Sequence, residues 1–248
     1  MQKIFFDTRK HDAAVRELYG LSEELMMENA ASGLEKAVAE CLERSEKKGI
    51  VILCGGGNNG ADGYALARRI IWNVTVLECI PPKSELCAIQ TERALKAGVK
   101  IVRGDSCLEY LSSAGENGIA VDCIFGSGFH GELPQDISAL VDLVNEKDLF
   151  RIVCDVPSGL DQYGNCGKSV FMADVTVTMG AQNCACILIL QRMPVGRFKL
   201  KIWVCHESCL RIHLRSILRL NFRCWKKMTW ICRAVKSRMS TRVLSGMR

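Results

Sequence analysis

The chain has 248 residues, of which 48% are hydrophobic, 24% are charged and 6% are aromatic. This composition excludes a disordered or collagen-like chain, and the length suits one α/β domain or two small ones. No apolar run reaches the roughly 18 residues of a transmembrane helix, and the first residues become polar too early for a signal peptide. We therefore expect no membrane partner, and a cytoplasmic location with the 14 cysteines reduced and mostly buried.

The formal net charge of +6 averages two unlike regions. Residues 1–181 contain 18 Lys and Arg against 26 acids, whereas residues 182–248 contain 15 Lys and Arg against one acid, Glu207. The second region also holds six of the 14 cysteines and three of the four tryptophans. We expect residues 1–181 to form the functional domain and residues 182–248 to be an atypical basic tail, out of frame or disordered.

Two other interpretations of this tail remain open. A nucleic-acid-binding arm would explain its charge, but such arms normally lack this amount of interleaved Trp and Cys, so a nucleic-acid partner is not expected. A zinc module would explain its cysteines, but their spacing matches no recognised ligand set. Neither the active site nor a coherent core is expected there.

Before the tail, strand-like and helical segments alternate along the chain. An amphipathic helix is predicted from about Ser22 to Lys47. Strands are predicted at Gly49–Cys54, Asn73–Glu78, Val99–Val102, Ile119–Phe125, Arg151–Val156 and Asp174–Met179. Helices are predicted between them at about residues 61–71, 84–97, 106–113 and 135–147. This pattern indicates an α/β fold, a Rossmann-like three-layer α/β/α sandwich with a mostly parallel sheet. Lys199–Val204 alternates Lys with apolar residues and is expected to pair with the sixth strand.

A glycine-rich turn follows the first strand of this series. Gly55, Gly57 and Gly60 have the spacing of the dinucleotide fingerprint, in the required strand–turn–helix context. Glu78 ends the second strand, where a ribose-binding acid belongs, so an NAD-dependent oxidoreductase is one interpretation. No hydride-transfer partner is evident, and a tight turn without a ligand is another interpretation. Polar side chains within the turn suggest a sugar hydroxyl or a bound cation nearby.

Two further strand ends carry the same kind of residues. Asp122 and the glycine-spaced run Gly126–Glu132 close the fourth strand, and Asp155 and Ser158 close the fifth. Each aspartate alone is a common cap or turn former. The carboxyl ends of parallel strands nevertheless meet in one crevice where the strand order reverses. We therefore expect a single pocket that holds Asn58, Asn59, Asp62, Asp122, Asp155 and Ser158.

Four ordered motifs, Leu25–Ala31, Gly55–Gly63, Val121–Gly128 and Asp155–Asp161, together resemble the NAD(P)H-hydrate epimerase family, also known as the YjeF N-terminal domain. The resemblance covers about residues 1–181. It implies a Rossmann-like fold, commonly a homodimer, that interconverts the R and S forms of hydrated NADH and NADPH. A dehydratase, separate or fused, then restores the cofactor.

The resemblance also implies the site residues. The residues that contact the hydrated nucleotide would be Asn58, Asn59, Gly60, Ala61, Asp62, Gly126, Ser127, Gly128, Phe129, His130, Gly131, Glu132 and Asp155. A potassium ion would be held by Asn59, Asp122 and Ser158. Epimerisation needs one group that donates and then accepts a proton, and Asp155 is the candidate. A non-catalytic Rossmann-like binding module is the remaining alternative, which the presence of Asp122 and Asp155 disfavours.

Overall fold

The apolar runs of the sequence form parallel strands that are connected by amphipathic helices. The computed structural model describes residues 4–5, 13, 16–44, 49–115, 117–161, 165–179, 182–183 and 197–201, all within a unit that spans Met1–Trp203. The helices are α1 (Glu23–Arg44), α2 (Asn58–Arg69), α3 (Glu85–Lys96), α4 (Ser106–Ser113) and α5 (Gln135–Glu146). The strands are β1 (Ile4–Phe5), β2 (Ile50–Cys54), β3 (Val74–Glu78), β4 (Lys100–Arg103), β5 (Gly118–Cys123), β6 (Leu149–Cys154), β7 (Val175–Met179), β8 (Gln182–Asn183) and β9 (Arg197–Lys201).

The main sheet has seven strands in the order β4-β3-β2-β5-β6-β7-β9, and every neighbouring pair is parallel. The chain winds outward from β2 to β4 and then returns to place β5 on the other side of β2. The carboxyl ends of β2 and β5 therefore flank the point where the strand order reverses. β1 and β8 form a separate parallel pair. The predicted Rossmann-like α/β fold is confirmed.

Helices cover both faces of the sheet and produce two apolar cores. α1, α2 and α3 pack on one face, against side chains such as those of Ile52 and Val121. α4 and α5 pack on the other face, against side chains such as those of Leu53 and Val153. Consecutive residues of one strand thus face opposite cores. Burial on both faces explains why the strands are near-continuous apolar runs in the sequence.

Two predicted strands end earlier than expected, for a reason that bears on the site. β5 stops at Cys123 rather than Phe125, because the next two backbone N–H groups donate to side chains instead of to a neighbouring strand. Ile124 N donates to Asp122 Oδ1 at 3.0 Å, and Phe125 N donates to Ser158 Oγ at 3.1 Å. β6 stops at Cys154 rather than Val156, because Asp155 takes a left-handed conformation with φ of 67°. These polar residues therefore shape the strand ends.

The main sheet continues beyond residue 181. β9 pairs in parallel with β7, from Val175 opposite Arg197 to Met179 opposite Lys201. The predicted pairing of a segment near Lys199 with the sixth strand is confirmed, with the strand starting at Arg197. We also predicted that residues 182–248 form an out-of-frame or disordered tail. Most of that tail, residues 184–196 and 202–248, lies outside the described residues. The domain boundary at residue 181 stays a prediction. No helix in the described part of the chain is long and apolar enough to cross a membrane.

Candidate active site

A cleft of about 870 Å³ lies at the carboxyl ends of β2, β5 and β6, where the strand order reverses. Its polar part comes from the turn after β2, the loop after β5 and the residue after β6. Its apolar part comes from α1, from the segment after β3 and the first turn of α3, and from apolar side chains in the loop after β5. The lining residues are Ala13, Arg16, Glu23, Met26, Met27, Ala30, Gly56, Gly57, Asn58, Asn59, Asp62, Ile80, Lys83, Leu86, Ile124, Phe125, Gly126, Ser127, Gly128, Phe129, His130 and Asp155.

In the glycine turn, Gly55–Gly60, the first and last glycines are tightly packed, whereas Gly57 at the tip of the turn is not. A Cβ on Gly55 would lie 1.9 Å from the carbonyl oxygen of Ile124, and one on Gly60 would lie 1.8 Å from that of Gly55. Gly57 has no neighbouring atom within 4 Å of its Cβ position. It is also the N-cap of α2 and supplies no side-chain cap, and the first turn of α2 has no acid. The first N–H groups of α2 are therefore open to an anion at the cleft.

Asp155 is held in position by its backbone and by the loop after β5. It is the single non-glycine residue with a positive φ among those described. Its N–H donates to Val177 O at 2.9 Å, and its Oδ2 accepts from Ser127 N at 2.8 Å. Burial raises the pKa of the Asp155 carboxyl, and the hydrogen bonds from Ser127 offset only part of that rise.

Asp155 and Asn59 converge where Gly126 carries no side chain. A Cβ on Gly126 would lie 2.8 Å from Asp155 Oδ2 and 3.5 Å from Asn59 Oδ1. A side chain at this position would fill the space between the carboxylate and the amide. The glycine therefore keeps both groups accessible from the cleft.

Asp122 and Ser158 lie beneath the cleft, and both are buried. Asp122 Oδ1 accepts from Ile124 N at 3.0 Å and from Ser158 Oγ at 2.7 Å, and its Oδ2 accepts from Ser158 N at 2.8 Å. Burial raises the pKa of Asp122 to about 6, against the opposing effect of the hydrogen bonds from Ser158 and Ile124. A carboxylate in such a site would be stabilised by a nearby cation.

The peptide groups of Phe125 connect the residues predicted to hold potassium. Phe125 N donates to Ser158 Oγ, and Asn59 Nδ2 donates to Phe125 O at 3.0 Å. Asn59, Asp122 and Ser158 thus meet around one backbone segment, and the ligand atoms they can offer a metal are side-chain oxygens, which suit a hard cation. A carboxylate offers about four acceptor positions, and the three hydrogen bonds to Asp122 leave one. Across the described residues, no group of three or more His, Cys, Asp and Glu is suited to a metal.

The structure brings most, but not all, of the predicted site residues to the cleft. Asn58, Asn59, Asp62, Gly126, Ser127, Gly128, Phe129, His130 and Asp155 line it. Gly60 and Ala61 are buried inside α2, while Gly131 and Glu132 are exposed and lie outside the lining. Gly60 contributes by packing, since its missing side chain admits the carbonyl of Gly55.

Glu78 does not line the cleft. Its carboxylate accepts from Tyr64 Oη at 3.0 Å and from Arg103 Nε at 3.1 Å, and the residue is 7% exposed. The side chain that supported an oxidoreductase interpretation is therefore engaged in the core, between α2 and β4.

Sequence reasoning missed the apolar wall of the cleft and a lysine beside it. Met26, Met27 and Ala30 form the part of the wall that α1 supplies. They belong to a motif that was recognised, but its periodicity does not tell which side faces a ligand. Lys83 also lines the cleft. The segment that carries Lys83 follows β3, and β3 lies beside β2 in the sheet. The sequence could therefore have placed Lys83 near the glycine turn that follows β2.

The part of the chain that carries most of the cleft matches a known protein family. The family model described as "YjeF-related protein N-terminus" matches residues 23–184, from the start of α1 past β7. A protein named bifunctional NAD(P)H-hydrate repair enzyme Nnr, from Helicobacter pylori, is 42% identical over 188 residues, covering 75% of this chain and 39% of that protein. The chain belongs to the YjeF-related N-terminal family. It spans about two fifths of that bifunctional relative's length.

Relatives of more similar length carry a single activity in their names. A protein named NAD(P)H-hydrate epimerase, from Rhodopirellula baltica, is 31% identical over 197 residues, and the alignment covers 77% of each chain. Another of the same name, from Elusimicrobium minutum, is 29% identical over 184 residues, covering 71% of this chain and 83% of that one. The segment of this YjeF family member that carries the cleft is therefore shared with relatives of both kinds.

Proposed function

We propose that this protein interconverts the R and S forms of hydrated NADH and hydrated NADPH. The convergence of Asn59, Gly126 and Asp155 at the switch point of a Rossmann-like sheet is the observation that carries the proposal. Family membership supports it, because relatives of similar length bear the name NAD(P)H-hydrate epimerase. The glycine turn and the start of α2 would receive the phosphates of such a nucleotide.

The proposed chemistry occurs at ring carbon six of the hydrated nicotinamide. That carbon bears a hydroxyl next to the ring nitrogen. The carboxyl of Asp155 donates a proton to the hydroxyl, the carbon–oxygen bond breaks, and the nitrogen lone pair forms a planar iminium. Water then adds from the opposite face and returns a proton to the carboxylate, so no net proton is consumed. The raised pKa of Asp155 favours this cycle, because burial makes the protonated carboxyl more available than that of an ordinary aspartate.

Potassium is the cation that we propose for the oxygen cluster beneath the cleft. Asn59, Asp122 and Ser158 would hold it, and it would supply positive charge below the bound phosphates. Ser158 and Asp122 would also fix the path of the loop that carries Gly126 and Ser127, through the hydrogen bond from Phe125 N.

We further propose a cytoplasmic location, a homodimeric state and functional pairing with an NAD(P)H-hydrate dehydratase. The location is supported by the cysteines, since none of those described forms a disulfide and most are buried. The pairing is supported by the names of the bifunctional relatives.

Asp155→Asn tests the proposed reaction. Asn tolerates positive φ better than other side chains that lack a charge, and its carbonyl can still accept from Ser127 N. The full chain and the variant are incubated with mixed epimers of hydrated NADH, and the S to R ratio is followed by chromatography. We expect the parent to accelerate equilibration and Asp155→Asn to bind the nucleotide but lose at least ~100-fold in rate.

Asp105→Asn is the matched control, because Asp105 is exposed and its side chain makes no capping hydrogen bond to α4. It should keep the parental rate. Full epimerisation by Asp155→Asn would remove Asp155 from the reaction. A change of NADH absorbance in the presence of a 2-hydroxy acid, without epimerisation, would instead indicate the oxidoreductase.

A further inference from the structure

The cleft contains one lysine, Lys83, that the mechanism above does not use. Lys83 lies in the segment between β3 and α3, and its side chain is exposed to the cleft. No described carboxylate forms an ion pair with it. Arg16, the other long cationic side chain of the lining, is already paired with Glu23.

Several contacts fix Lys83 against the glycine turn. Its backbone N–H donates to Gly56 O at 2.7 Å, and the N–H of Ser84 donates to the same oxygen at 3.1 Å. The Cγ of Lys83 lies 3.2 Å from the Cβ position of Gly56. The Ser84 hydroxyl oxygen in turn accepts from Cys87 N at 3.2 Å and caps α3. The stem of Lys83 thus packs on the turn that leads into the open N-terminus of α2.

Lys83 also stands where the polar and apolar parts of the cleft meet. The Cγ2 of Ile80, from the same segment, lies 3.2 Å from the Cβ position of Gly56, and Leu86 begins the apolar wall that continues onto α1. The polar part, with Asp155, lies on the other side of the glycine turn. In a dinucleotide the phosphates join the two nucleoside halves, so they would cross the turn at this position.

Charge supports the same assignment. The lining carries the carboxyl groups of Asp62 and Asp155 and that of Glu23, which Arg16 offsets, and a dinucleotide adds at least two negative charges on its pyrophosphate. The N-terminus of α2 offers only partial positive charge, and the charge of the proposed potassium ion is largely offset by its own ligand Asp122. A full cation beside the turn would offset the repulsion.

We propose that the ammonium group of Lys83 binds a phosphate group of the dinucleotide and so sets nucleotide affinity. This inference rests on the proposed function for the identity of the substrate. The phosphate belongs either to the pyrophosphate or to the 2′-phosphate of the hydrated NADPH form. Lys83 is a binding residue in this assignment and takes no part in the proton transfers at Asp155.

The test compares Lys83→Gln and Lys83→Arg in the full chain with Lys96→Gln as the control. Lys96 ends the helix that Lys83 precedes and is 73% exposed at the surface. We expect Lys83→Gln to raise the KM about 5- to 10-fold with kcat unchanged, as for the loss of one charged contact. Lys83→Arg should stay within about twofold of the parent, because the charge is kept. Lys96→Gln should match the parent.

Comparing hydrated NADH with hydrated NADPH identifies which phosphate Lys83 binds. A loss of equal size with hydrated NADH and hydrated NADPH assigns the pyrophosphate, and a loss confined to hydrated NADPH assigns the 2′-phosphate. Unchanged KM values for Lys83→Gln, or an equal loss in Lys83→Arg, would overturn the proposal.

Calorimetric binding of ADP-ribose separates this inference from the proposed function. ADP-ribose has the pyrophosphate but no nicotinamide, so its Kd should rise in Lys83→Gln and depend less on salt than in the parent. A parent that binds ADP-ribose through Lys83 but shows no epimerisation would contradict the proposed function alone. ADP-ribose binding that is unchanged in Lys83→Gln would contradict the pyrophosphate assignment, and together with unchanged KM values it would contradict the inference.

Discussion

Asp155 combines an unusual backbone with an unusual ionisation. Its positive φ turns the chain out of β6, and the same turn aims its carboxylate at the loop after β5, where Ser127 N donates to it. Burial keeps the pKa of this carboxyl above its ordinary value. The end of the buried strand β6 therefore determines both the position of the Asp155 carboxyl and its raised pKa.

A pH dependence follows from the raised pKa of Asp155. The first proton transfer needs the protonated carboxyl, so the fraction of active enzyme decreases as the pH rises through that pKa. We expect kcat for hydrated NADH to fall with rising pH on this limb, in the parent and in Asp105→Asn alike. Initial rates corrected for the uncatalysed epimerisation would measure it. A kcat that increases with pH over the same range would contradict the acid role.

Asp122 leads to a prediction about potassium. Asp122→Ala removes the anionic member of the oxygen cluster and leaves the N–H of Ile124 and the N–H and hydroxyl of Ser158 without their acceptor. We expect potassium and nucleotide to bind more weakly together, each by about 10-fold or more. Titration of ADP-ribose in potassium and in a large organic cation would measure the coupling. Nucleotide binding by the parent that is independent of potassium would contradict it.

Asp122→Asn separates charge from shape in that experiment. The amide keeps an oxygen for the donors but carries no charge. Its potassium dependence should resemble that of Asp122→Ala, while its melting temperature should be the higher of the two.

Single residues differ in how far the sequence predicts their roles. Asp122 and Asp155 were predictable, because an acidic residue at the carboxyl end of a buried strand in an open α/β sheet lies at the ligand crevice. Glu78 satisfied the same rule but is buried between Tyr64 and Arg103, a contact between residues 25 positions apart that no local pattern shows. Lys83 was missed because one lysine after two prolines is typical of any exposed loop.

At the scale of elements, charged residues join α1 to α2. Arg69 donates to Glu35 from Nε at 3.0 Å and from Nη2 at 2.8 Å, and Glu28 pairs with both Arg68 and Arg69. These side chains are about one third exposed, so water screens them only in part. The network fixes the helix that supplies the apolar wall of the cleft.

A double-mutant cycle on Arg69→Gln and Glu35→Gln would measure this connection. We expect a coupling energy of about 0.5–1 kcal/mol in chemical denaturation, as for a partly buried pair. The pair Lys96 and Glu92, within α3 and largely exposed, is the comparison and should couple less strongly. Equal coupling in both pairs would show that burial between the helices adds nothing.

Element boundaries were predictable where periodicity alone sets them. α4 was predicted at its observed bounds, and α3 and α5 to within one residue at each end. The ends of β5 and β6 were placed two residues too late, because the side chains of Asp122 and Ser158, and the turn at Asp155, replace strand pairing there. Both of these deviations lie at the cleft, where polar groups compete with the regular ladder. Elsewhere, β6 starts two residues before its predicted start, and α2 spans Asn58–Arg69 instead of about residues 61–71.

At the scale of the molecule, the cleft and the edge of the sheet are formed by different parts of the chain. The lining residues lie between Ala13 and Asp155, whereas β9 pairs with β7 at the edge of the described sheet. A chain that ends at residue 201 should keep the parental melting temperature and ADP-ribose affinity. A chain that ends at residue 181 loses β9 and leaves β7 with unpaired backbone groups, so it should aggregate.

Light scattering, thermal melting and ADP-ribose titration of the two shortened chains would check this prediction. A chain ending at residue 181 that stays monodisperse and melts like the parent would show that β9 is not needed to protect the edge. The charge contrast predicts a division at residue 181, and that boundary stays a prediction. The alternation of Lys and apolar residues from Lys199 predicted the later segment that pairs with β7, although the strand begins two residues earlier, at Arg197.

The open tip of the glycine turn has a consequence for selection among variants. Gly57 has room for a side chain and an ordinary φ of −99°, so Ser or Asn there would cap α2 and add a few tenths of a kcal/mol of stability. The new side chain would, however, accept hydrogen bonds from the N–H groups that we assign to the phosphates. A random library sorted for thermal resistance should therefore become enriched in Ser and Asn at residue 57, and the same library sorted for turnover should lose them. Gly55 and Gly60 should stay invariant in both sorts, because neither position admits even a methyl group.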